Sequence, residues 1–186
     1  MDAAVEAPWD TCLALAWEAY RVGTVPVGAV VVDPAGAIVA RGRNHIFERG
    51  SRLLHAEVDA LAQLGLERYE DHTIYSLLEP CLLCLGAVLM STVGRIRYAA
   101  PDELGGACTV DIELPDLKRR GLVIEGPAGG ALARLGVALQ AAFWLRRGRD
   151  DLADAYAAEL AAGRRIAAGA YPETIEEALP RLLDSL

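Results

Sequence analysis

The chain reads as an α/β fold, a mixed sheet with helices on its faces, and three observations predict it. Short, β-branched apolar runs alternate with stretches whose apolar residues recur at helical spacing. Glycine or proline stands at most of the junctions between them. The length, 186 residues with 53% apolar, suits one packed domain with a terminal extension.

Thr11 to Val22 carries Leu13, Ala16, Trp17 and Tyr20 at helical spacing, with Asp10 or Thr11 as cap and Gly23 as stop. Val25 to Asp33 is a β-branched run and reads as a buried strand. Pro34-Ala35-Gly36 turns the chain, and Ala37 to Arg43 returns as the second strand of a hairpin. A polar loop from Asn44 leads to a helix from His55 to Leu64, closed by Gly65. His72 to Leu78 is the third strand; Glu79-Pro80 breaks it, and Cys81 to Met90 is helical. Arg95 to Ala100 and Leu122 to Ile124 are the fourth and fifth strands. Between these last two, Ile112 to Arg120 has helical character. Ala131 to Leu145 is a helix, and the remainder is Ala-rich and helical, interrupted by Gly163, Gly169 and Pro172. The order α-β-β-α-β-α-β-(α)-β-α divides into a domain over 1–148 and a helical C-terminal extension over 149–186.

The net charge of -8 and the pI near 4.9 disfavour a general nucleic-acid binder, which needs a basic surface. Arg146-Arg147-Gly148-Arg149 is a local exception, and it reads better as a solvated helix end with cations near the negative pole of the dipole. No apolar run is long enough to span a bilayer, and the acidic N-terminus does not read as a signal peptide. The expected location is the cytoplasm. There, four cysteines argue for metal or redox use over disulfides. Cys12 reads as a small core residue, and Cys108 has no assigned role.

The chemistry concentrates in two motifs, His55-Ala56-Glu57 and Pro80-Cys81-Leu82-Leu83-Cys84. They supply one imidazole, two thiolates and a separate carboxylate, the donor set of a catalytic zinc site with one open position. The three-residue spacing brings Cys81 and Cys84 to one side of one helical turn, and Pro80 suits a helix start that favours thiolate anions. Glu57 is offset from His55 around the first turn, close enough to exchange protons with water at the open position. A four-ligand structural zinc site would need one more donor; His45 stays open for that, whereas His72 begins a strand. A thioredoxin-like C-x-x-C would not need the His-x-Glu partner.

The pairing H-x-E with P-C-x-x-C resembles the signature of zinc nucleobase deaminases. From Val25 to about Gly106 the chain resembles the cytidine/deoxycytidylate-type zinc deaminase superfamily. It is most similar to the branch of tRNA adenosine deaminases and bacterial guanine deaminases. The residues carrying this are Val25-Pro26-Val27-Gly28-Ala29-Val30-Val31-Val32, Gly42-Arg43-Asn44, His55-Ala56-Glu57-Val58-Asp59-Ala60-Leu61 and Leu78-Glu79-Pro80-Cys81-Leu82-Leu83-Cys84-Leu85-Gly86-Ala87.

The resemblance implies a cytidine deaminase-like three-layer α/β/α fold with a five-stranded mixed sheet, one zinc per subunit and a homodimer. It implies His55, Cys81 and Cys84 as zinc ligands and Glu57 as the catalytic proton shuttle. It makes Asn44, which alone would read as a turn residue, a hydrogen-bond partner of the base. Ala56 would offer its backbone N–H, Glu79 and Pro80 their carbonyls to the departing amine, and Val25 a wall. The approach Arg49-Gly50-Ser51-Arg52-Leu53-Leu54, the stretch from Ala99 to Gly106 and the tail past Arg149 depart from the branch.

The expected activity is a zinc-dependent hydrolase that converts an exocyclic amine of a small nucleobase, nucleoside or related heterocycle to a carbonyl, releasing ammonia. The alternatives are a tRNA adenosine deaminase, which needs a basic stripe from Arg43, Arg49, Arg52 and Arg146-Arg147, and a non-catalytic zinc-stabilised interaction module.

Overall fold

The computed structural model describes residues 7–111 and 121–186. The helix expected over Ile112 to Arg120 lies outside the described residues. Among those described, five strands form one sheet in the order β2-β1-β3-β4-β5. They are β1 (Gly28–Val32), β2 (Ile38–Arg43), β3 (Thr73–Leu78), β4 (Arg95–Ala100) and β5 (Val123–Glu125). β1 pairs antiparallel with β2 and β3, whereas β3, β4 and β5 are parallel. The mixed five-stranded sheet between helices is the expected fold.

The central strands are covered on both sides, as their apolar runs require: all five residues of β1 are buried. Val30, Val32, Tyr75, Leu77 and Ala99 face one core, packed with Trp17 and Leu13 of α1 (Ala7–Arg21) and Leu135 and Leu139 of α5 (Gly130–Arg146). Ala29, Val31, Ile74, Leu78 and Ile96 face the other, against α3 (Ala56–Leu61) and α4 (Leu82–Ser91). Two glycines of the sequence motifs permit this closeness. A Cβ on Gly28 would overlap the Cys12 carbonyl of α1, and one on Gly42 would overlap the Ala56 carbonyl and the Ala60 amide of α3.

Several boundaries differ from the sequence reading. α1 begins at Ala7, so Asp10 lies inside its first turn and is not its cap. The helix expected from His55 to Leu64 is only α3. His55 precedes it in extended geometry (φ -76°, ψ 155°), and Gln63 and Leu64 close a tight turn on Ala60 and Leu61. Cys81 likewise sits just before α4, extended at φ -75° and ψ 175°. A short α2 (Ile46–Arg49) interrupts the expected polar loop.

The tail forms α6 (Asp150–Ala153), a 3₁₀ segment (Asp154–Glu159), α7 (Leu160–Ala168) and α8 (Ile175–Asp184). Ile166, Ala178 and Leu182 are buried in the same cluster as Trp17 and Leu139. The Trp17 indole N–H donates to the Glu173 carbonyl at 3.0 Å. No helix among the described residues is long and apolar enough to cross a membrane.

Candidate functional site

Three chain segments meet where β3 ends. The start of α3 brings His55 and Glu57, the β3–α4 junction brings Glu79 and Cys81, and the end of β2 brings Asn44. His55 Nδ1 lies 3.5 Å from both Cys81 Sγ and Cys84 Sγ, and the sulfurs are 3.6 Å apart. Among the described residues this is the cluster able to hold a metal ion. Tetrahedral zinc with Zn–S near 2.3 Å and Zn–N near 2.05 Å puts its ligand atoms ~3.8 Å (S···S) and ~3.6 Å (N···S) apart. The triangle therefore fits zinc, and its donors, an imidazole and two sulfurs, are those zinc prefers.

The extended residues before α3 and α4 explain how this triangle forms. His55 and Cys81 stand at the helix starts, outside the helical turns, and Cys84 reaches back from the first turn of α4. The two sulfurs are electrostatically unequal. The hydrogen bond between the two sulfurs, aided by His55, holds Cys81 down at about 4, while the same contact and burial push Cys84 up. The bond to Cys81 in turn raises the His55 imidazole.

Glu57 is 3% exposed and lies beside the triangle. Ser76 Oγ donates to its Oε1 at 2.9 Å, and Cys84 Sγ contacts its Oε2 at 3.2 Å. Burial raises this carboxyl above the ordinary range, which favours a group that can both take up and give back a proton.

A cleft opens onto these groups. Of the residues singled out from sequence, Val25, Asn44, His55, Glu57, Glu79 and Cys81 line it. Cys84 is buried at its back, Ala56 is fully buried, and the Pro80 carbonyl accepts a hydrogen bond from the Ala107 amide at 3.0 Å. His45 is turned away into a clamp, its Nδ1 2.8 Å from Glu48 and its Nε2 3.5 Å from Asp59. It does not join the metal cluster, so a four-ligand structural site has no support here. The Cys108 thiol, half-buried beside the Pro80 carbonyl, is pushed up to about 12 by burial.

Sequence reasoning missed four members of the site. Val27, Ile46 and Leu78 give the cleft apolar walls, and Asp102 closes one side. Asp102 is held from two directions: its backbone amide donates to Glu79 Oε2 at 3.4 Å, and the Tyr156 hydroxyl from the tail donates to its Oδ1 at 2.7 Å. No local pattern announces a contact spanning 54 residues.

The family model for the cytidine and deoxycytidylate deaminase zinc-binding region matches residues 4–100. A tRNA(Ile)-lysidine synthase of Deinococcus radiodurans is 44% identical over 107 residues, 55% of this chain and 18% of that protein. A tRNA-specific adenosine deaminase of Haemophilus influenzae is 38% identical over 99 residues, 51% of this chain and 57% of that protein. The chain thus spans about a fifth of the synthase and little over half of the deaminase. A structure from a study of A-to-I editing by tRNA:A34 deaminases superposes with a TM-score of 0.57 at 30% identity, covering 64% of this chain and 96% of that one. With a match over half its length that contains all three metal-fitting residues and Glu57, the chain belongs to the cytidine and deoxycytidylate deaminase zinc-binding family.

Proposed function

We propose that the protein is a zinc-dependent hydrolytic deaminase of a small aminated heterocycle, a nucleobase or nucleoside, in the cytoplasm. The observation that carries this reading is the buried Glu57 carboxylate, outside the His55–Cys81–Cys84 triangle yet beside it, in a cleft with apolar walls. A purely structural metal site has no use for such a group.

The balanced reaction replaces a ring C–NH₂ by C=O, consuming water and releasing ammonia. His55, Cys81 and Cys84 hold the metal. When bound, zinc supplies Lewis acidity and makes water a competent nucleophile near neutrality. Glu57 takes a proton from the attacking water on its carboxylate and passes it to the ring nitrogen beside the reacting carbon; it then takes the remaining hydroxyl proton from the tetrahedral carbon and delivers it to the departing amine as the C=O forms. Ser76 keeps Oε1 oriented through these transfers. Asn44 binds the ring edge, and Val25 and Leu78 exclude bulk water from it. Glu79 lies at the cleft for the departing amine, while the Pro80 carbonyl is already engaged by Ala107. Ala56, fully buried between His55 and Glu57, would offer its backbone N–H to the ligand.

The curated relatives favour a second substrate, adenosine within tRNA. Against it stands the charge of -8. Of the arginines a basic stripe would use, Arg43 is paired with Glu48 at 2.7 Å. A homodimer is supported by Leu82, Leu83 and Met90, exposed on α4. The tail from residue 149 is read as an extension that shares the core of the domain over 1–148.

The deciding experiment is an ammonia-release screen of zinc-loaded protein over guanine, adenine, cytosine, their nucleosides and deacylated tRNA. Release from a free base or nucleoside supports the reading. Release from tRNA alone moves the substrate to the second reading.

A further inference from the structure

The base-binding role of Asn44 leaves open which end of its amide a ligand meets. The surrounding hydrogen bonds answer this. The Ile46 backbone amide lies 3.0 Å from one amide atom of Asn44. A backbone N–H can only donate, so that atom is the oxygen. Thr24 adds a second donor: its hydroxyl gives its proton to the same Oδ1 at 2.8 Å. The Thr24 hydroxyl cannot easily turn around, because it already accepts from the Phe47 amide at 3.2 Å.

Both residues are deeply buried, Thr24 at 0% and Asn44 at 2% exposed. The Thr24 backbone is itself anchored where α1 ends, its amide donating to the Ala19 carbonyl at 3.0 Å. The Nδ2 group makes no hydrogen bond among the described residues, although Asn44 lines the cleft. A buried amide with a doubly satisfied oxygen and an unused nitrogen is a donor awaiting an acceptor.

We propose that Thr24 is a positioning residue that fixes the polarity of Asn44, so that the cleft offers donors at this point and selects a heterocycle edge that accepts. Such an edge is a ring carbonyl oxygen or an unprotonated ring nitrogen. A protonated ring N–H or a second exocyclic amine facing Asn44 would meet two donors and be rejected, because a buried donor left unpaired costs more than a hydrogen bond gains. This rests on the deaminase reading above for the identity of the ligand, but not for the orientation of the amide.

The test uses ¹⁵N-labelled, zinc-loaded protein with the variants Thr24→Val, Thr24→Ser and Asn44→Asp. Side-chain amide relaxation reports whether Asn44 is held, and calorimetric titration with guanine, cytosine and adenosine reports binding. The Asn44 amide is expected to be rigid in the wild type and in Thr24→Ser, and mobile in Thr24→Val. Any of the three compounds that binds should weaken about 3- to 10-fold in Thr24→Val, the equivalent of one hydrogen bond, and recover in Thr24→Ser. Asn44→Asp, which keeps the shape but has no donor, should weaken it by about tenfold or more. An amide as rigid in Thr24→Val as in the wild type, or unchanged binding to Asn44→Asp, overturns the proposal. If none of the three compounds binds, the small-heterocycle reading fails, and the relaxation comparison still decides the role of Thr24.

Discussion

Ser76 Oγ and Glu57 Oε1 are 2.9 Å apart, a hydrogen bond from the middle of β3 to a carboxylate at the start of α3. It ties the proposed proton carrier to the sheet itself and not to a loop. Glu57→Gln is expected to retain zinc, since Glu57 lies outside the metal cluster, and to lose about 10²–10⁴-fold in turnover. Ser76→Ala should retain zinc with a smaller loss. Zinc content and ammonia release measured on the same preparations check both. Normal turnover in zinc-loaded Glu57→Gln would sink the mechanism.

Cys81→Ala and Cys84→Ala each remove one corner of the ligand triangle. The wild type is expected to carry about one zinc per chain and either variant much less than that. Elemental analysis after dialysis against a weak chelator reads the outcome. Full retention in both variants would place the metal elsewhere.

Gly42→Ala pushes a methyl group into the Ala56 carbonyl and the Ala60 amide. Because both clashing groups are backbone, α3 must move, at a cost of roughly 1–3 kcal/mol or more. Urea unfolding should reveal the loss. Zinc affinity should fall with it, since α3 carries His55 at its start.

Glu48 supplies a pH dependence whose sign is fixed. The Arg43 guanidinium, and then His45, hold its carboxyl at about 2 against an ordinary 4.5. A depressed carboxyl stabilises the fold above pH 4.5 and loses that contribution as the pH falls toward 2. The side chain is 36% exposed, so solvent screening keeps the contribution below about 1 kcal/mol. Urea midpoints of the wild type and Glu48→Gln should differ at pH 7, still differ in part at pH 3, and converge only as the pH approaches 2. A constant gap would refute the assignment.

Tyr156→Phe deletes the 2.7 Å bond to Asp102 without changing shape. The fold should survive with a loss of about 0.5–1.5 kcal/mol. Asp102 retains the Leu104 amide on the same oxygen, at 3.1 Å. The expected signature is a higher KM at little-changed kcat, because the wall of the cleft loosens while the ligand triangle stays intact.

Much of the fold was legible because it rests on local patterns. β4 occupies Arg95–Ala100, the run read from sequence, where Arg95, Ile96, Arg97 and Tyr98 alternate polar and apolar at the strand period and only the strand's end is buried throughout. The grouping of His55 with Cys81 and Cys84 was legible for a similar reason: two short motifs each carry their own geometry. The length of α3 was not legible, because Ala62, Gln63 and Leu64 suit a helix and only the tight turn onto Ala60 and Leu61 ends it. Thr24 with Asn44, and Tyr156 with Asp102, are polar pairs 20 and 54 residues apart. Polar pairing at such separations leaves no periodicity in the chain, so neither could be read in advance.

The indole of Trp17 is satisfied by a carbonyl 156 residues downstream, and its apolar face is covered in part by α8. During synthesis, α1 is therefore made long before it is completed. Its outward face stays wet until Leu182 has left the ribosome. Contacts this distant in sequence close slowly, and the half-built sheet must meanwhile be shielded from its neighbours.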